Sequence, residues 1–131
     1  MIAGIGVDLL HLARLRALLT RRGPHQLASR ILSQPELLEW DQRREARSRS
    51  EIERFLALRW TAKEAAYKAL YPRYELTWKD LVVSKRDKKP RLDFSPTFAD
   101  KLGENAGDVR LHLSVSHDAD LMVAYVVAEE A

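Results

Sequence analysis

The sequence predicts an α+β fold, and three patterns in its 131 residues carry that reading. Segments with apolar residues spaced by three and four crowd the first half of the chain. Between the halves, IERFLALRWTAKEAAYKALY (residues 52–71) holds many strong helix formers and meets no Gly or Pro until Pro72. Late in the chain, Leu111, Leu113 and Val115 alternate with His112, Ser114 and Ser116, the period of a half-buried strand. The length suits one domain, residues 1–131, with neither an internal repeat nor a linker, and a composition 46% hydrophobic is too apolar for a disordered chain.

Each element follows from local chemistry. Residues 1–8 read as a short strand whose Gly4 and Gly6 allow close backbone approach, with Asp8 at its exit. Leu9, Leu12, Leu15 and Leu19 then repeat at helical spacing, with His11, Arg14, Arg21 and Arg22 near the opposite side, until Gly23-Pro24 interrupts them. A second helix is expected over residues 25–31. Ser33, Pro35 and Glu36 form a helix start with capping-box spacing. Residues 41–51 are almost wholly polar and read as an exposed helix or a flexible connector. After the long helix, residues 78–84 hold a strand around Leu81-Val82-Val83, residues 85–90 a charged turn, and residues 91–94 another strand. Ser95-Pro96 opens a short helix that Gly103 ends, and residues 117–120 turn the strand at 110–116 back into residues 121–127.

Charge and composition exclude several classes. The chain has no cysteine, hence no disulfide, no thiolate nucleophile and no Cys-based metal site, which fits an intracellular protein. No apolar run approaches the ~18 residues of a membrane span, and the N-terminus lacks the basic segment of a secretory signal. Of 22 basic residues, 15 are arginine; residues 1–30 carry five Arg against one Asp, net +4, while residues 51–131 carry 13 basic against 14 acidic groups, net −1. A basic N-terminal surface suits nucleic acid, an anionic membrane or an acidic protein. The arginines lack the interleaved aromatics of a nucleic-acid groove, and +3 overall is a modest charge for that task; an acidic protein uses the same chemistry at lower total charge, and a solvated basic face is the plain alternative.

No P-loop, GxGxxG turn, HExxH or GxSxG occurs. A dispersed polar set remains: Asp8, Lys63, Glu64, Lys68, Ser114, Ser116 and His117. Glu64 and Lys68, four apart on one helix face, suit a surface ion pair or a site, and Ala62, Ala65, Ala66 and Ala69 around them indicate close packing of that helix. Asp8 suits a helix N-cap or a hard oxygen ligand. Paired with Glu64 it would leave most positions of an octahedral Mg²⁺ to water and phosphate. His117 suits a solvated turn residue or a ligand contact.

Taken in order, these residues resemble the small holo-acyl-carrier-protein synthase type of 4′-phosphopantetheinyl transferase. Gly4-Ile5-Gly6-Val7-Asp8 is similar to that family's opening strand, Arg14 to its first-helix arginine, and Arg30-Ile31-Leu32-Ser33 through Glu36 to its R-I-L-[ST]-x-x-E segment. The run from Arg59 to Leu70 resembles its R-[FW]-x-x-K-E-[AS]-x-x-K-A stretch, Lys89-Pro90 the loop before a strand, and Leu113 to His117 its late S-[IV]-S-H strand end. The resemblance implies a long helix packed on a small antiparallel sheet. It implies transfer of the phosphopantetheine arm of coenzyme A to a serine of an acyl carrier protein, leaving adenosine 3′,5′-bisphosphate. It further implies Asp8 and Glu64 as Mg²⁺ ligands, with catalytic roles for both and for Lys68. Lys63, Lys68, Lys89, Pro90, Ser116 and His117 would hold coenzyme A, Arg14, Arg21 and Arg22 would dock the acidic carrier, and homotrimers would share their sites. The serine proton would pass to a water on the metal or to a carboxylate near Glu64.

Three departures accompany the resemblance: His11 stands where the family commonly carries Glu, Tyr71-Pro72-Arg73 replaces a glycine, and the polar segment 41–51 is longer than expected. They suggest a fungal or other eukaryotic, organellar member, hence a mitochondrion, otherwise the cytoplasm. His11 also keeps open a module that binds coenzyme A or the carrier without turnover. A small nucleic-acid binder ranks last, since it leaves Asp8, Glu64 and the late strand end without a purpose.

Overall fold

The computed structural model describes residues 1–43 and 45–131, and strand β1 (Ile2–His11) is its pivot. It runs antiparallel to β5 (Leu121–Glu130), which pairs with β4 (Val109–Asp118), so the sheet order is β1-β5-β4. The register sets Asp8 opposite Ala124 and Ala124 opposite Val115. Gly6, Leu10, Met122, Ala124, Val126 and Ala128 therefore share one buried face, and helix α4 (Arg49–Leu70) lies across it.

The glycines dictate how close that helix comes. A Cβ on Gly4 would land on the carbonyl oxygen of Ala69, and one on Gly6 on that of Ala65. Ala62, Ala65, Ala66 and Ala69 are all buried, so the close packing expected from the alanines is against β1. The result is the α+β architecture expected, a long helix on a small antiparallel sheet. Helices α1 (Leu12–Arg22), α2 (Pro24–Ile31) and α3 (Gln34–Arg43) wrap the other side of α4, closing a core around Leu15, Ile31, Leu32, Trp40 and Leu56.

Strand β1 runs three residues beyond the expected exit. Leu9, Leu10 and His11 pair with Val123, Met122 and Leu121, and pleating sends Leu9 outward (59% exposed) and Leu10 inward (2%). Asp8 thus sits inside a ladder rather than at a helix N-cap. Helix α1 starts at Leu12, whose N–H donates to the Asp120 carbonyl (2.8 Å), while His11 offers no side-chain cap.

The polar segment 41–51, expected as an exposed helix or a flexible connector, is helical at its two ends among the described residues. Asp41 to Arg43 finish α3, Arg49 to Glu51 open α4 with Ser48 as its cap, and Arg47 lies over the rings of Trp40 and Phe55. Arg44 lies outside the described residues. A 3₁₀ turn at Trp78–Asp80 leads into the hairpin of β2 (Leu81–Arg86) and β3 (Lys89–Phe94). Its turn is tighter than the predicted residues 85–90, because Lys85 pairs with Pro90 and only Asp87 and Lys88 turn the chain, both at positive φ (51° and 67°). Helix α5 (Pro96–Leu102), capped by Ser95 as expected, precedes β4. Among the described residues no helix is long and apolar enough to cross a membrane.

Candidate active site

The glycine contact brings the Asp8 carboxylate of β1 against the exposed end of α4. Lys68 Nζ donates to Asp8 Oδ1 (3.2 Å) and to the Val7 carbonyl (3.0 Å). Glu64, one turn earlier on the helix, is half-buried. Burial pushes its carboxyl up, the negative charge of Asp8 pushes it further, and Lys68 and Arg14 oppose both. These four groups, from β1, α1 and α4, form one electrostatic cluster. The guanidinium of Arg14 lies 6.0 Å from the Trp60 ring, and Trp60 packs on Trp78 at 5.4 Å between centroids. A cavity of about 220 Å³ opens beside Glu64, walled by Lys63, Tyr67, Leu76, Thr77 and Trp78.

Lys63 does not serve as expected. Its ammonium donates to the Ile31 carbonyl (2.8 Å), Glu36 Oε1 (2.5 Å) and the Trp78 carbonyl (2.9 Å), with its side chain 1% exposed. An ammonium has three hydrogens, so none is left for a phosphate. Burial lowers this lysine to about 8. Its partner Glu36, read from sequence as a capping residue, also accepts from Ser33 N and Oγ and from Val83 N (2.8–2.9 Å), with Arg59 Nε 3.7 Å away. The S-x-x-E spacing was visible; the reach of Glu36 to Lys63 and β2 left no local sign.

The other predicted contacts divide. His117 pairs with Met122, which pairs with Leu10, so it belongs to the face that carries Asp8. Ser116 belongs with Val123 and Leu9 to the opposite, outward face. Lys89 and Pro90 start β3 and line a cleft of about 740 Å³ with Arg91, Arg110 and His112. Within one chain, Ser116, Lys89 and Pro90 are not brought to Asp8. Arg14 stands beside Glu64, whereas Arg21 and Arg22 lie exposed at the far end of α1. Arg16, passed over in the sequence, joins Glu53 (2.8 Å) and Asp120 (3.1 Å).

Among the described residues no group of three or more metal-ligating side chains gathers. Asp8 and Glu64 make a two-carboxylate set of hard oxygens, the donor type and number with which Mg²⁺ keeps its waters. The mutual repulsion that helps raise Glu64 is what a divalent cation would relieve. The residues fit such an ion.

Residues 4–126 match the 4′-phosphopantetheinyl transferase superfamily. The chain is 36% identical over 132 residues to the holo-[acyl-carrier-protein] synthase of Hydrogenovibrio crunogenus, covering 98% of each chain. It superposes on the holo-[acyl-carrier-protein] synthase of Neisseria meningitidis with a TM-score of 0.80 at 33% identity, covering 99% of this chain and 100% of that one. The enzyme from Bacillus anthracis, solved in complex with CoA (3′,5′-ADP), gives 0.75 at 30% identity, covering 100% and 99%. These relatives are bacterial, which corrects the expectation of a fungal or organellar member; the suggestion of a mitochondrion rested on that expectation and falls with it. The chain therefore belongs to the holo-acyl-carrier-protein synthase family of 4′-phosphopantetheinyl transferases, in its bacterial form.

Proposed function

We propose that this chain moves the 4′-phosphopantetheine arm of coenzyme A onto a serine hydroxyl of an apo-acyl carrier protein and releases adenosine 3′,5′-bisphosphate. The observation that carries the reading is the convergence of Asp8, Glu64 and Lys68 where β1 presses on α4. The serine hydroxyl gives its proton to water or to a carboxylate near Glu64, its oxygen bonds to phosphorus as the pyrophosphate P–O bond breaks, and the bisphosphate leaves with the electron pair. Asp8 and Glu64 would hold Mg²⁺, which supplies neutralisation of the charge developing on the phosphoryl oxygens. Lys68, about half-exposed, turns its ammonium to the leaving phosphate. His117 shares the face of Asp8 and suits the nucleotide end of coenzyme A.

The carrier docks on α1 through Arg14, Arg21 and Arg22, none of which forms an ion pair with a carboxylate among the described residues. Copies of the chain pack through the outward sheet face. Ile5 (64%), Leu9 (59%) and Tyr125 (52%) are exposed there, an apolar surface beyond what scattered side chains leave. Ser116 lies on that face, so a neighbour completes the site; a homotrimer satisfies this arrangement. The test is the intact mass of an apo-carrier protein incubated with coenzyme A and Mg²⁺. The wild-type chain adds the phosphopantetheine mass and Glu64→Ala does not; no mass gain with a carrier that a known synthase modifies would sink the reading.

A further inference from the structure

Along helix α1 only Leu12 and Leu15 are fully buried, Leu19 packs half-buried against the core, and a groove of about 670 Å³ beside the helix is lined by Arg16, Leu19, Thr20, Pro24, Ile52 and Glu53. A bracket of polar contacts holds its first turns. The Asp120 carbonyl accepts from Leu12 N (2.8 Å), and the two carboxylate oxygens of Asp120 accept from Arg16 Nη1 (3.1 Å) and Nη2 (3.2 Å). On its other side Arg16 Nε meets Glu53 of α4 (2.8 Å), a carboxylate only 10% exposed. One guanidinium thus ties α1 to the β4–β5 turn and to α4 at once.

We propose that Arg16, held by Asp120 and Glu53, is a positioning residue that sets the angle of α1 and so presents Arg14, Arg21 and Arg22 to the carrier protein. This rests on the docking role given to that helix above. Arg16 differs from those three arginines in being neutralised by two carboxylates, so its charge is not free for an acidic partner. The geometry acts as a lever. Arg21 lies about 13 Å along the axis from Leu12 at ~1.5 Å per residue, so a tilt of about 15° at the bracket moves it by about 3 Å. That is enough to break charge-assisted contacts that act over about 3 Å.

Steady-state kinetics of Arg16→Gln, Asp120→Asn and Glu53→Gln, titrated separately in carrier and in coenzyme A, test this. Each variant raises the KM for carrier by about fivefold, with kcat and the KM for coenzyme A near wild type. Arg16→Gln/Asp120→Asn is no worse than the poorer single variant, because both remove one contact. Amide exchange speeds up in residues 17–22 and not in α4. Asp120→Asn leaves the buried Glu53 paired, so it keeps the test open if Arg16→Gln folds badly. A rise confined to Arg16→Gln would make Arg16 a direct docking contact and overturn the proposal, as would equal effects on both substrates. Wild-type inactivity would instead count against the transferase reading.

Discussion

Lys63 and Glu64 are neighbours on α4, yet they belong to opposite kinds of polar cluster. Lys63 meets Glu36, Ile31 and Trp78 in the interior, where every hydrogen of its ammonium has an acceptor. Glu64 stands half-open beside Asp8, two carboxylates opposed only in part by Lys68 and Arg14. The difference teaches how to tell a charge that builds the fold from one that does chemistry. The first is dry and fully partnered. The second is exposed on one side and electrostatically unfinished, and a ligand would complete it.

Substitution should separate the two clusters cleanly. Glu64→Ala lowers holo-carrier formation by at least about 10³-fold, since it removes one of two proposed metal ligands. Its melting temperature stays near wild type or rises, because Asp8 loses a repulsive neighbour. Lys63→Met does the reverse in kind: it takes the nearer of the two buried cations from Glu36, leaving only Arg59 at 3.7 Å, and costs about 3 kcal/mol of stability. Urea unfolding beside an intact-mass assay reads both. A Lys63→Met chain of wild-type stability but no activity would move Lys63 from the fold to the site.

Gly6→Ala tests the join between the clusters. Its methyl would overlap the Ala65 carbonyl, so β1 must lift from α4. Overpacking of this kind costs about 1–3 kcal/mol. Because the shift also moves Asp8 from Glu64 and Lys68, turnover falls further than stability does, by up to about 10²-fold for a displacement near 1 Å. Denaturant melts with kcat on the same preparation check it; equal loss of both would show that the contact serves stability alone.

How much of this was legible follows the same division. The glycine strand, the alanine-rich helix and the late hairpin are periodic patterns, and where that strand meets that helix the fold gathers Asp8, Glu64 and Lys68. The exit of β1 was misread because Leu9, Leu12 and Leu15 satisfy a helical spacing while Leu9 and Leu10 also satisfy a strand with two faces. Only pairing to Leu121, Met122 and Val123 decides between them. Lys63 and Lys68 look equivalent in the motif. What separates them is acceptors 15 to 32 residues away that close over Lys63, a tertiary fact with no local period. Arg16 was hidden for the same reason, since its partner Asp120 is 104 residues distant.

The smallest expected effect gives the finest test of the unfinished cluster. Burial and then Asp8 raise the Glu64 carboxyl above the ordinary value of about 4.3. The folded chain then holds that proton more tightly than the unfolded chain. The favourable contribution is present at low pH and is lost as pH climbs from the unfolded value through the raised one. Glu64→Gln never ionises, so at pH 7 it should melt slightly above wild type. The margin is a fraction of a kcal/mol, because solvent reaches the half-open carboxyl and screens it. Toward pH 4 the two curves should meet. Thermal melts from pH 4 to 7 measure the gap, and millimolar Mg²⁺ should narrow it at pH 7 by raising the wild type and leaving the variant in place. A gap constant with pH and indifferent to Mg²⁺ would mean that the amide merely packs better, and that Asp8 and Glu64 do not share a cation.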